Sequence, residues 1–181
     1  GVTAENVAEK FQITRDEQDK FALRSQEKAL KAQKENKFNE EIINIEIKSN
    51  KSEVIFNKDE HPRESINLET LSKLKPVFKK DGTVTAGNSS AISDGASCLI
   101  MMSHSKAKSL GIEPIAKIRG MASVGVDPSI MGFGPVPAVQ KALKRSQLKL
   151  QDIEVIELNE AFAAQSLAVL KALELDMDTH N

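Results

Sequence analysis

Residues 153–173 read IEVIELNEAFAAQSLAVLKAL and hold the pattern that decides the fold. A short, mostly apolar run over 154–158 is followed by Asn159 and Glu160, and a long, almost wholly apolar stretch then resumes. We predict a strand over 154–158 and a helix over 161–173. Because this helix is apolar nearly all round, it should be buried. An amide and a carboxylate are therefore expected where a strand ends and a buried helix begins.

Two explanations account for Asn159 and Glu160. Ligands of α/β proteins bind at the carboxyl ends of strands, and helix N-termini present unpaired N–H groups. Alternatively, Asn is a favoured helix cap and Glu suits a first helical turn. On these residues alone, the structural explanation is the favoured one, although an enclosed polar pair needs hydrogen-bonding partners in either case.

Composition excludes several classes of function. The 181 residues contain 25 Lys plus Arg and 26 Asp plus Glu, so no large field of one sign attracts nucleic acid. A single cysteine and three widely spaced histidines form no metal-binding motif, and we predict no metal site. No run of 18 apolar residues occurs, so no membrane span is expected.

The first third of the chain predicts two helices. Thr3 is expected to cap a short helix that carries Val7, Ala8 and Phe11 on one face. The capping box of residues 14–17, TRDE, should start a second helix that runs to about residue 35. We expect its Lys, Glu and Gln residues to be exposed. Its other face has helical spacing and consists of Phe21, Ala22, Ser25, Ala29 and Ala32.

Alternating residues predict strands. Residues 43–47 alternate Ile with polar residues, which indicates a half-buried strand, and a turn at 49–51 followed by 54–56 would complete a hairpin. We expect two further strands, at 97–102 and 115–123. Cys98 lies in the first of these, where an apolar setting indicates a packing cysteine and not a nucleophile.

Three more helices are predicted between these strands. Leu68, Leu71 and Leu74 fit a short helix that Pro76 ends. Ser103 or Ser105 should cap a second one that ends at Gly111. Pro137 lies near the first turn of a third helix, through Arg145. Strands that alternate with helices over 83–181 indicate an α/β layered fold.

Two stretches rich in glycine are ambiguous by themselves. Residues 85–96, TAGNSSAISDGA, either approach a ligand through backbone N–H groups or form an ordinary turn. Residues 125–138, GVDPSIMGFGPVPA, lack the third glycine of a dinucleotide fingerprint. Within them, Met131 and Phe133 either line an apolar pocket or fill the core. His61, before a proline in a charged loop, is interpreted as a solvated or locally hydrogen-bonded histidine.

Taken together, four long stretches resemble the thiolases, in the same order. They are GVTAENVAEKFQITRDEQDKFALRSQEKA (1–29), KLKPVFKKDGTVTAGNSSAISDGAS (73–97), GVDPSIMGFGPVPA (125–138) and ELNEAFAAQSLAVLK (157–171). The resemblance covers essentially the whole chain and is greatest to the acetyl-CoA acetyltransferase branch of the family.

The resemblance implies chemistry on coenzyme A thioesters, as substrates and without a separate cofactor. Thiolases condense two acetyl-CoA to acetoacetyl-CoA and CoA, or run the reverse thiolysis, through an acylated Cys. The family's nucleophilic Cys, its Gly-His-Pro histidine and its second Cys, in a Cys-x-Gly-Gly-Gly motif, have no counterpart in this chain. The chain thus resembles an internal fragment, and residues 1–181 alone are expected to be inactive.

The resemblance also implies roles for particular residues. Asn159 is similar to the family residue that positions an oxyanion-hole water near the thioester oxygen, and Glu160 would support its loop through hydrogen bonds. Where some members have a Tyr in a potassium site, this chain has His61, a departure that puts such a site in doubt. The residues implied to bind CoA or the acyl group are Arg63, Phe78, Ala86, Ser90, Met131, Ala161 and Phe162.

A partial thiolase-like α/β fold is implied, with a loop domain and parts of two mixed-sheet core halves. We expect a CoA-covering loop domain at 1–92, the last strand and helix of the first half at 93–112, and the beginning of the second half at 113–181. The family implies a homodimer or homotetramer in a bacterial-type cytoplasm, with mitochondrial and peroxisomal locations as alternatives. A 3-ketoacyl-CoA thiolase of fatty-acid degradation and a non-catalytic CoA-binding or oligomerisation module are the alternative functions.

Overall fold

The structure, a computed structural model, describes residues 1–49 and 52–177. Its elements are α1 (Val2–Phe11), α2 (Arg15–Lys34), β1 (Ile45–Ser49), β2 (Ser52–Phe56), α3 (Leu68–Ser72), α4 (His104–Ser109), α5 (Pro135–Ser146) and α6 (Ala163–Ala172), with 3₁₀ turns at Pro128–Phe133 and Leu150–Asp152. None of the described helices combines the length and apolar character needed to cross a membrane. Groups of three or more His, Cys, Asp or Glu side chains that could hold a metal ion are absent from the same ranges.

Helix α6 lies at the centre of the core. It packs on α1 through Ala164 and Ala168, on α2 through Leu170 and on α5 through Val169. All four side chains are buried, which confirms the prediction of a helix buried on every side. The neighbouring helices must therefore present apolar faces to α6, and their positions follow from that requirement.

Helix α6 begins later than predicted. Its first residue is Ala163 and its N-cap is Phe162, so Asn159 and Glu160 lie outside the helix. The prediction of a helix start at 161, and the explanation that Asn159 caps it, are therefore wrong. The reason is that Phe162 pairs with Ser89 in an antiparallel bridge, which keeps the preceding backbone extended.

The first two helices follow the sequence prediction with two corrections. Helix α1 is capped by Gly1, since Thr3 already lies in its first turn. The capping box of α2 forms as predicted: Thr14 N donates to Glu17 Oε2 at 2.6 Å, and Glu17 N donates to Thr14 Oγ1 at 3.2 Å. The backbone N–H of Thr14 lowers the pKa of Glu17, so the carboxylate that closes this box stays ionised at neutral pH. The face expected to be wholly exposed contains the buried Gln18.

The predicted hairpin forms, but it is not half-buried. Strands β1 and β2 pair antiparallel, with Ile45 opposite Phe56 and Ile47 opposite Val54. Ile45 and Ile47 remain 47% and 50% exposed, because no other described segment covers that face. The predicted turn at 49–51 falls partly on residues 50 and 51, which lie outside the described residues.

The three further strands expected at 97–102, 115–123 and 154–158 are absent from the part of the chain that the structure describes. Most of their apolar side chains are exposed, for example Leu99 at 83% and Val155 at 72%. A strand exists only where a neighbouring backbone supplies its hydrogen bonds, and no described strand pairs with any of these three stretches. Cys98 is exposed for the same reason, so the prediction that it packs in a core is wrong within this chain.

The remaining helices match their predictions closely. Ser103 caps α4 by accepting from Lys106 N at 3.2 Å, and Gly111 ends it with a φ of +66°. The stretch 125–138 contains the 3₁₀ turn and the start of α5, which begins at Pro135, two residues before Pro137. Its Phe133 stacks on Phe11 at a centroid distance of 4.3 Å and so fills the core, whereas Met131 is exposed.

A buried polar network attaches residues 83–90 to α1 and α2. The two carboxylate oxygens of Asp19 accept from Arg15 Nε at 2.7 Å and from Asn88 Nδ2 at 3.0 Å. The buried carboxylate of Glu5 accepts from the backbone N–H groups of Thr83 and Val84. Because buried charges are tolerated only when they are paired and hydrogen-bonded, these contacts fix the path of residues 83–90.

We expect Asp19→Ala to lower the free energy of unfolding by about 2–3 kcal/mol, because Asn88 and Arg15 would each lose a buried partner. Asp16→Ala is the matched control, since Asp16 lies on the same helix and its ion pair with Lys20 is exposed. That control should change stability by less than about 1 kcal/mol. Urea denaturation of both variants measures the difference, and equal losses would contradict the structural role assigned to Asp19.

Candidate active site

The candidate site is assembled by a short stretch of backbone pairing. Ser90 N donates to the carbonyl oxygen of Ala161 at 3.0 Å, and Ala163 N donates to that of Asn88 at 3.0 Å. Between them, Ser89 and Phe162 form the antiparallel bridge. These contacts bring together the two stretches, 85–96 and 153–173, that the sequence marked as candidate ligand sites.

The turn before this pairing is held by its own side chains. Asn88 Oδ1 accepts from Thr85 N at 2.8 Å, and Asn88 Nδ2 also donates to the carbonyl oxygen of Thr83 at 3.1 Å. A Cβ atom at Gly87 would lie only 2.5 Å from a methyl group of Leu71 and 2.6 Å from one of Leu74. A side chain at 87 would therefore have to displace these leucine methyl groups, so the close packing of the turn on Leu71 and Leu74 favours glycine here.

A cavity of about 660 Å³ opens beside the pairing and contains four of the predicted site residues, Arg63, Ala86, Ser90 and Asn159. Its volume is within the range of small-molecule sites. The rest of its wall is formed by residues of α2, of α3 and of the loops beside them. These further lining residues include Phe21, Ala22, Ser25, Gln26, His61, Ser65, Ile66, Leu71, Leu74 and Glu160.

Asn159 and Glu160 occupy different positions in this wall. The Glu160 carboxylate accepts from Ser25 Oγ at 2.6 Å, which matches the expectation that it supports the loop. The Asn159 side chain is exposed on the cavity, and no hydrogen bond joins its carboxamide to another residue of the described ranges. A carboxamide in this position has two N–H donors and one carbonyl acceptor available for a ligand or for solvent.

The cavity lining also includes a cation, Arg63. Arg63 N donates to Gln26 Oε1 at 2.9 Å, which attaches the 57–66 loop to α2. The Arg63 side chain is exposed and makes no ion pair with any residue that the structure describes, so its guanidinium is available to an anion. His61 is exposed, as predicted, with its Nε2 at 3.4 Å from Ser93 Oγ.

The other four predicted site residues do not line this cavity. Phe78 and Phe162 pair edge to face, with centroids 6.1 Å apart. Ala161 contributes its carbonyl oxygen to the backbone pairing, and Met131 is 63% exposed near the 3₁₀ turn. Their assignment to CoA or acyl contacts remains a prediction from the family resemblance.

Sequence reasoning missed the contribution of α2 to the site. Phe21, Ala22, Ser25 and Gln26 all line the cavity. The first three were placed on the packing face of α2, and Gln26 was placed on its exposed face. A polar Ser25 at helical spacing with Phe21 and Ala22 was the signal that this face also meets a ligand or a polar partner.

Comparison with known protein families and proteins identifies relatives of this chain. Residues 1–105 match the family of the thiolase N-terminal domain, and residues 112–181 match that of the thiolase C-terminal domain. Over 182 aligned residues the chain is 56% identical to a Staphylococcus aureus protein named "Probable acetyl-CoA acyltransferase", covering 100% of this chain and 46% of the relative.

Solved structures give the same result. The crystal structure of the Bacillus anthracis acetyl-CoA acetyltransferase superposes with a TM-score of 0.91 at 52% identity, covering 100% of this chain and 46% of that one. The crystal structure of human mitochondrial 3-ketoacyl-CoA thiolase superposes with a TM-score of 0.90 at 49% identity, covering 99% of this chain and 46% of that one. The chain spans about half the length of the curated relatives that it matches. It has a partial thiolase α/β fold, and it belongs to the thiolase family.

Proposed function

We propose that residues 1–181 are an internal part of a full-length thiolase that condenses two acetyl-CoA to acetoacetyl-CoA and CoA, or catalyses the reverse thiolysis. The observation that carries this proposal is the unpaired Asn159 carboxamide, which faces the same cavity as Ser90. The names of the bacterial relatives support the choice of acetyl-CoA chemistry.

In this proposal Asn159 acts on the thioester through a water molecule. The carboxamide would hold a water so that its O–H points at the thioester oxygen, where negative charge develops in the transition state. A fixed donor aimed at such charge lowers the barrier because it needs no reorganisation during the reaction. The nucleophile must come from elsewhere in the full-length protein, since Cys98, the single cysteine of this chain, does not line the cavity.

CoA would enter the cavity with its two ends at different walls. Arg63 is the exposed cation suited to a phosphate of the ADP part, and Ser90 and Ala86 would lie beside the pantetheine arm. Phe78, Met131, Ala161 and Phe162 are proposed to contact pantetheine or the acyl group. A structure of human mitochondrial 3-ketoacyl-CoA thiolase in complex with CoA, 48% identical to this chain, supports CoA as the ligand class.

The proposal also covers the domain organisation, the oligomeric state and the cellular location. The loop domain would comprise 1–92, the end of the first core half 93–112 and the beginning of the second 113–181. We propose a homo-oligomer in the cytoplasm, in keeping with the bacterial relatives. The second candidate function is a 3-ketoacyl-CoA thiolase acting on longer chains, which the likeness to the human mitochondrial enzyme favours.

A chain-length series distinguishes these two functions. The full-length protein should cleave acetoacetyl-CoA with a kcat/KM at least about 10-fold above that for longer 3-ketoacyl-CoA esters, because a pocket discriminates each extra methylene by roughly 10-fold or more. Steady-state thiolysis with 4-, 8- and 12-carbon substrates provides the measurement. A preference for the longer esters would support the second function. Binding of CoA by calorimetry without turnover of any ester would indicate the non-catalytic module.

Replacing the proposed oxyanion-hole residue should slow the reaction. In the full-length protein we expect Asn159→Ala to lower kcat roughly 100-fold or more, the usual loss for one oxyanion donor. Asn44→Ala is the matched control, because Asn44 is exposed and does not line the cavity. Wild-type kcat in Asn159→Ala would exclude this role for the carboxamide.

The 181-residue chain by itself should have no thiolase activity, because it lacks the family's nucleophilic Cys, its Gly-His-Pro histidine and its second catalytic Cys. Purified residues 1–181 should release no CoA from two acetyl-CoA above the uncatalysed rate. The full-length protein assayed in parallel is the positive control. Condensation by the isolated chain would show that the chemistry does not need these three groups.

A further inference from the structure

The segment that carries Asn159 has few contacts of its own. Residues 154–160 belong to no helix or strand, and no backbone–backbone hydrogen bond of the described residues involves them. The backbone is paired again only from Ala161, whose carbonyl oxygen accepts from Ser90. Something other than backbone pairing must therefore fix the direction of the Asn159 side chain.

The two neighbours of Asn159 are each held in a different way. Leu158 is partly buried and packs against the cluster of Phe21 and Leu170. Glu160 is held by the 2.6 Å hydrogen bond that its carboxylate accepts from Ser25 Oγ of α2, across 135 residues of sequence. A hydrogen bond to a charged acceptor is about twice as strong as one between neutral groups, so this contact is suited to fixing a loop.

We infer that Ser25 is a positioning residue: its hydrogen bond to Glu160 fixes the 154–160 segment so that the Asn159 carboxamide points into the cavity. Ser25 itself is half-buried in the cavity wall, on a helix held by the Arg15–Asp19–Asn88 network. The assignment of a catalytic benefit to this contact rests on the proposed thiolase function. The fixing of the segment does not, since it follows from the contact alone.

Ser25→Ala in the full-length protein tests the inference. We expect kcat for thiolysis of acetoacetyl-CoA to fall about 10-fold or more, since a small misplacement of a donor can cost up to about 100-fold. KM should change by less than about threefold, because the carboxamide acts on the transition state more than on the bound substrate. Ser25→Thr keeps the hydroxyl and should restore most of the kcat. Ser105→Ala is the matched control and should match wild type, because Ser105 is exposed on helix α4 and does not line the cavity.

The Asn159→Ala background separates positioning from general packing. If Ser25 acts through Asn159, adding Ser25→Ala to Asn159→Ala should cause no further loss of kcat. A further loss equal to that of the single Ser25→Ala variant, or a failure of Ser25→Thr to restore kcat, would overturn the inference.

Amide hydrogen exchange gives a readout that does not depend on activity. Ser25→Ala should speed exchange of the hydrogen-bonded amides of Ser90 and Ala163, which adjoin the 154–160 segment, several-fold, while residues 104–109 stay unchanged. Unchanged exchange together with unchanged kcat overturns the inference. An inactive wild-type protein in which Ser25→Ala still speeds this exchange would overturn the proposed function and support the fixing of the segment by Ser25. An inactive wild type with unchanged exchange would overturn both.

Discussion

The burial of α6 is the constraint on which the rest of the structure depends. A helix that is apolar on every side cannot remain at a surface, so other elements must enclose it. Helices α1, α2 and α5 do so through the three apolar clusters that meet on Ala164, Leu170 and Val169. Because these helices come from both ends of the chain, the same packing brings the first 34 residues against the last 20 described ones.

Enclosing α6 has a direct consequence for the cavity. The backbone that enters the helix pairs with residues 88–90, and the buried Asp19–Asn88 contact attaches those residues to α2. The wall beside Asn159 is therefore built from three separate parts of the sequence: α2, residues 88–90 and the stretch that leads into α6. In this wall the two neighbours of Asn159 are held, Leu158 by packing on Phe21 and Leu170, and Glu160 by its hydrogen bond to Ser25.

Much of the local structure could be predicted from the sequence. The capping box at Thr14, the hairpin of β1 and β2 and the cap of α4 at Ser103 depend on residues close together in the chain. The expected strands at 97–102, 115–123 and 154–158 failed for the opposite reason. A strand requires a partner from elsewhere, and periodicity does not show whether the described chain contains that partner.

The sequence by itself determined the buried helix, the polar pair before it, and membership in the thiolase family through four stretches in register. Only the tertiary structure decided that Asn159 is not a helix cap, that Glu160 bonds to Ser25 and that Asp19 is buried. The physical reason is distance along the chain. Caps and turns are satisfied within a few residues, whereas these polar groups find their partners 135 and 69 residues away.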